Sequence, residues 1–178
     1  MSYAASSGIH ENTKSPVDVE AACDAMEPMW LQAQAVQTAE LVPCVASLPV
    51  GWSFGELTVK NGRSTISVNH DRAGSKAIDL RFAGSCDTTG ATEVANDVPG
   101  GRRFERTPVD GTNTILTWYV VFPGGCATMR LSSRDPAREV VSDVTAQASR
   151  VIGFVSRADL ARALDERSHG RLRLDPPS

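Results

Sequence analysis

Four cysteines, Cys23, Cys44, Cys86 and Cys126, constrain this 178-residue chain more than any other feature. None belongs to a C-x-x-C pair, and His10, His70 and His169 are scattered. The closely spaced ligand pairs that zinc sites use are therefore missing. A nucleophilic cysteine needs a base beside it and a lowered pKa, and His70 could reach Cys86 or Cys126 only through the fold. Two bridges account for all four sulfurs with no thiol left over. Of the three connectivities, Cys23–Cys44 and Cys86–Cys126 close the shortest loops. Each would stabilise by about 3–4 kcal/mol in the chain-entropy picture.

Bridges persist outside the reducing cytosol, so the cysteines point to an extracytoplasmic protein, secreted or membrane-tethered. The opening stretch, "MSYAASSGIHENTKSP", has neither a basic n-region nor an apolar h-region. No apolar run approaches the roughly 18 residues that span a bilayer. A mature fragment reconciles the two observations. Met1 is then an added start, and a signal, lipid anchor or membrane helix lay upstream. On this reading residues 1–14 are a disordered polar tether and residues 15–178 one domain.

The length suits a single domain with a sizeable core. A formal net charge of -3 argues against nucleic acid and against direct attraction to an anionic membrane. Residues 1–60 hold only Lys14 and Lys60 against seven acids, whereas arginines crowd the last third. Acids are interspersed among those arginines, which reads as solvated helix faces.

The element order predicts an α+β fold. Ser15, Pro16 and Asp18 mark a helix start, and Pro28 should kink or end that helix. Residues 31–44 read as irregular with some helix. Asn61-Gly62 predicts a type I′ turn. It sets Leu57 opposite Ile66 and Val59 opposite Ser64, so Leu57, Val59, Ile66 and Val68 share one face while Glu56, Thr58, Thr65 and Ser67 share the other. Ile78, Leu80 and Phe82 continue the alternation. The stretch "RRFERT", residues 102–107, suits a short charged edge strand, 112–122 a central strand apolar on both faces, and 126–131 a sixth strand. A helical stripe then runs from Ala137 to Val155, and a second helix starts at the Ser156–Asp159 capping box and stops before Gly170. Strands followed by helices imply an antiparallel sheet of about six strands, with the N-terminal helix and two C-terminal helices on one face.

Candidate sites are few. His70-Asp71-Arg72 carries acid–base groups, but neighbouring strand residues point to opposite faces, and a solvated hairpin exit is the simpler reading. Trp52, Trp118, Tyr119 and Phe122 suit a core better than a sugar platform. Arg102, Arg103 and Arg106 can hold a carboxylate or phosphate, and with Trp52 they are the candidate contact residues. No phosphate loop, nucleophile elbow or zincin motif occurs. No catalytic, metal or cofactor residue is assigned.

The stretches "VPCVASLPVGW", "DRAG" at 71–74, "FPGGC" and "DERSHGRLRLDP", with fifteen arginines to three lysines, resemble exported or membrane-tethered globular domains of uncharacterised proteins from high-GC Gram-positive bacteria. The resemblance covers residues 17 to 176. It implies a place outside the membrane and brings no catalytic residues with it. The expectation is a non-catalytic extracytoplasmic module that binds a protein or cell-envelope component through the wet sheet face or the Arg102–Arg106 edge. An envelope hydrolase or transferase, its site assembled only by folding, is the alternative of another class, and a spacer is the third.

Overall fold

Strand pairing in this chain follows the alternation of apolar residues wherever a tight turn joins the partners. The computed structural model describes residues 23, 26–108 and 112–176. The expected tether over 1–14 and the helix start at Ser15 and Pro16 lie outside them. The described elements are α1 (Met26–Ala35), β1 (Leu41–Val45), β2 (Trp52–Lys60), β3 (Arg63–His70), β4 (Gly74–Ala83), β5 (Thr92–Val94), β6 (Arg102–Arg106), β7 (Thr114–Phe122), β8 (Gly125–Ser132), α2 (Arg138–Val151), β9 (Ile152–Ser156) and α3 (Arg157–Ser168).

Seven strands form an antiparallel sheet in the order β2-β3-β4-β8-β7-β6-β5. The six expected strands are all in it and β7 lies inside the sheet, but β6, expected at an edge, is paired on both sides, with β7 and β5. The seventh, β5, is a three-residue edge strand in what reads from sequence as a loop. In the first hairpin Leu57 pairs with Ile66 and Val59 with Ser64, as the alternation predicts. The turn type differs. Gly62 has a φ of 79°, and Asn61 is not among the positive-φ residues. That sign pattern belongs to a type II turn rather than type I′. The cause is tertiary, because the Gly62 N–H donates to the Ala35 carbonyl at the end of α1, at 2.8 Å.

The inner face carries Ile66, Val68, Ile78, Leu80, Phe82, Trp118, Val120, Phe122, Ala127, Met129 and Leu131, all buried. Val140, Val144, Ala148 and Val151 of α2 are buried at helical spacing. Leu160 and Leu164 of α3, with Met29 and Ala33 of α1, join the same core. Each large aliphatic side chain taken fully out of water contributes roughly 1.5–3 kcal/mol.

Three stretches fold differently from what their local sequence suggests. Pro28 is the third residue of α1 rather than a stop; in the first turn it has no intrahelical bond to lose. The helical stripe ends at Val151, and Ile152–Ser156 turns into β9. There it pairs antiparallel with β1, which occupies a stretch read as irregular. Gly153 sits opposite Cys44, where an added Cβ would lie 2.9 Å from the Ala46 Cβ. The close strand approach thus depends on that glycine. The Ser156 hydroxyl caps α3 as expected, accepting from the Asp159 N–H at 3.0 Å. His169 in left-handed conformation and Gly170 close the helix.

The bridges are Cys23–Cys44 and Cys86–Cys126, with Cα separations of 5.7 and 5.8 Å. These are ordinary values for disulfides.

Candidate functional site

The helices pack against one side of the large sheet and leave the other side open. Register fixes what that outer side displays. One row across the strands reads Glu56, Ser67, Asp79, Arg130, Thr117, Arg106. The next reads Thr58, Thr65, Arg81, Thr128, Tyr119, Phe104. The third reads Lys60, Arg63, Ala83, Cys126, Val121, Arg102.

Charge on this face divides into two groups. Arg130 donates to Asp79 at 2.8 Å, and Arg102 makes a two-point pair with Glu93 at 2.9 and 2.7 Å. The Arg102 bond holds the Glu93 carboxyl below its ordinary 4.5, and Glu93 in return raises Arg102. Lys60, Arg63 and Arg81 are exposed and have no ion-pair partner among the described residues. Lys60 and Arg63 stand directly opposite each other. Like charges in that position oppose strand pairing, so the arrangement favours an added anion.

Two shallow grooves meet at Arg81. One, of about 300 Å³, is lined by Thr58, Lys60, Arg63, Ser64, Thr65 and Arg81. The other, of about 620 Å³, runs past Arg81, Ser85 and Thr128 to the Cys86–Cys126 bridge and Asp87. The bridge clamps the loop after β4 onto β8, and so forms one wall of the groove. Hydroxyls and cations at this spacing can hold phosphate, sulfate or carboxylate groups.

The four contact residues anticipated from sequence do not form one surface. Arg102 lies at the rim of the outer face with Glu93. Arg106 has its guanidinium 5.1 Å from the Tyr119 ring centroid and donates to the Asp87 carbonyl at 3.1 Å. Arg103 points to the other side, stacked 3.8 Å over the Trp118 ring and paired with Glu105 at 2.6 Å. Trp52 is buried; its indole N–H donates to Gln147 at 2.7 Å, and its ring meets His70 edge-on. The outer-face cations escaped sequence reading because Lys60, Arg63 and Arg81 become neighbours only through strand register. Their alternation with apolar residues was the one available signal.

Asp71 and Arg72 are exposed, as a hairpin exit requires, but His70 is buried. Its Nδ1 accepts from the Arg72 and Ala73 N–H groups at 3.3 and 3.2 Å, and its Nε2 lies 3.5 Å from Asp143. The turn thus folds back onto the ring and occupies the nitrogen a general base would need free. Arg72 pairs instead with Glu139 at 2.9 Å, and that bond raises its pKa.

Among the described residues, no three His, Cys, Asp or Glu side chains are grouped to hold a metal ion. No described helix is long and apolar enough to cross a membrane. Fold and site together define a doubly disulfide-bridged α+β domain with an open, partly basic sheet face. No family model, no curated protein and no solved structure matches the chain.

Proposed function

We propose that this protein is a non-catalytic extracytoplasmic module, secreted or membrane-tethered, that binds an anionic cell-envelope component on the open face of its sheet. The supporting observation is the set Lys60, Arg63 and Arg81, three cations without carboxylate partners among the described residues, along two joined grooves. The two bridges favour maturation in an oxidising compartment. The overall charge of -3 makes the local excess of cations more telling, since it runs against the average of the chain. An open groove in which hydroxyls and the cations Lys60, Arg63 and Arg81 outweigh the single lining carboxylate, Asp87, suits an extended anionic polymer better than a small substrate that must be enclosed.

The test is calorimetric titration with inorganic polyphosphate and with dextran sulfate, using uncharged dextran as control. Binding of both anionic polymers should weaken as salt is raised. It should disappear in the triple variant Lys60→Ser, Arg63→Ser, Arg81→Ser while the circular dichroism spectrum is unchanged. Failure of wild-type protein to bind either polymer, or undiminished binding by the variant, would refute the reading.

A further inference from the structure

The two ends of the large sheet meet solvent differently. β5 closes one end and is three residues long. β2 closes the other with nine residues and, among the described residues, pairs on one side only, with β3. Residues 53–56 and Lys60 are exposed, and Leu57, Thr58 and Val59 are half-buried. A long free edge offers unpaired N–H and C=O groups to another strand. A bulge at Gly55 shifts the register between Phe54 and Glu56. Residues 56–60 are therefore the regular part of the edge.

Pairing with β3 decides which backbone groups this stretch has to spare. Lys60 and Arg63 close a two-residue turn, so they exchange both ladder bonds, and the pattern alternates from there. Lys60, Thr58 and Glu56 thus use their backbone groups on β3, whereas Leu57 and Val59 turn theirs to the open edge. The side chains divide by face. Glu56, Thr58 and Lys60 lie on the outer face. Leu57 and Val59 lie on the inner one, where Leu57 joins the half-exposed Phe54 beside Pro28 and Met29 of α1. Within the chain the Glu56 carboxylate accepts from the Thr58 hydroxyl at 3.2 Å and has no cationic partner among the described residues.

We propose that a second copy of this chain docks on this edge, β2 against β2, antiparallel about a two-fold axis through Thr58. In that register Leu57 faces the partner's Val59, joined by the backbone groups that β3 does not use. Thr58 faces the partner's Thr58, and Glu56 faces the partner's Lys60. The charges choose this register. A two-fold centred on Glu56 or Lys60 stacks like charges, and one centred on Leu57 or Val59 gives neither charge an opposite. Opposite charges directly across an antiparallel pair are favourable, and like charges are not. A self-complementary stretch is what an isologous contact requires. It also gives Lys60, which stands across from Arg63, a carboxylate. Arg63 and Arg81 stay open to an anionic polymer, so the dimer goes beyond the outer-face reading and does not rest on it.

The experiment is sedimentation equilibrium of the full chain with no polyanion present. The weight-average mass should rise toward twice that of one chain as concentration is raised. Glu56→Lys and Lys60→Glu should each weaken association at least about tenfold, because each reversal sets like charges across the axis. An equimolar mixture of the two variants should associate again, since every facing pair then carries opposite charges. Val59→Pro removes an edge N–H that β3 does not use, and should abolish association with the circular dichroism spectrum unchanged. Glu56→Lys keeps all three outer-face cations, so its binding of polyphosphate should persist and separates failure of the dimer from failure of the outer-face reading. A wild type that stays monomeric to about 1 mM, association unchanged by the reversals or by Val59→Pro, or no recovery in the mixture would overturn the proposal.

Discussion

The Ser64 hydroxyl donates to the Gln32 side-chain oxygen at 2.9 Å, inside the core and across 32 residues of chain. The same Gln32 amide donates to the Pro43 carbonyl at 3.1 Å. One wholly buried polar side chain thus ties α1 to both β1 and β3. Replacing it with an apolar isostere leaves a hydroxyl and a carbonyl without partners, each worth roughly 1–3 kcal/mol. Gln32→Met should lower urea stability by about 2–4 kcal/mol, and adding Ser64→Ala should recover part of the loss. A loss below about 0.5 kcal/mol would show that the network is not holding these elements.

The turn between β7 and β8 packs directly on the segment after α1. The Thr38 hydroxyl donates to the Gly124 carbonyl at 2.6 Å, and the Glu40 N–H donates to the Pro123 carbonyl at 3.0 Å. An added Cβ on Gly124 would collide with the Thr38 carbonyl, and its φ of 70° is left-handed as well. Gly62 is a built-in control, since its φ is 79° and nothing lies near its Cβ position. Gly62→Ala should cost about 1–2 kcal/mol from backbone strain alone. Gly124→Ala should cost clearly more in the same chemical-denaturation series. Equal costs would mean that the close approach is unimportant.

Each disulfide protects a different part of the molecule. Cys23–Cys44 anchors β1 beside Gly153, and Cys86–Cys126 pins the loop bordering the larger outer-face groove. The double variant Cys86→Ser, Cys126→Ser should lose about 3–4 kcal/mol and bind polyphosphate more weakly. Thiol titration of the unfolded, unreduced wild-type protein should find no free thiol. Detecting four would remove the argument for an oxidising compartment.

Acid should loosen the β5–β6 edge before the rest of the sheet. Arg102 holds Glu93 below 4.5, and hydrogen bonds from Thr89 hold Asp87 below 3.8. Lowered folded-state values mean that the folded protein binds fewer protons than the unfolded chain. The stabilisation is therefore present above those ordinary values and lost as the pH falls through the lowered ones. Both groups are solvent-exposed, so the effect is local and weakened by salt. Intrinsic-rate-corrected protection of the Thr92–Val94 amides should drop as the pH falls below the ordinary carboxylate range while that of β3 and β4 holds. Earlier loss in β3 would contradict this assignment.

Sequence alone was enough for the first hairpin, the inward side of β4, the α3 cap and both sulfur pairings. Alternation of apolar residues is a local property, and a two-residue loop transmits it to the next strand without ambiguity. The sulfur pairing followed from loop length. The turn type escaped because a carbonyl of α1 claims the Gly62 N–H. The partnership of β1 with β9 escaped because it joins stretches more than a hundred residues apart. Neither stretch has a period that announces its partner.

Both candidate sites belong to that second category. Residues on one strand face can be listed from the sequence, but their neighbours across the sheet depend on strand order. Placing β8 beside β4 brings Thr128 next to Arg81 and completes the open face. Leaving β2 at the end of that order frees its edge. Local periodicity determines which way a side chain points. Only long-range pairing, whose free energy is gained when the whole core assembles, decides what it meets there.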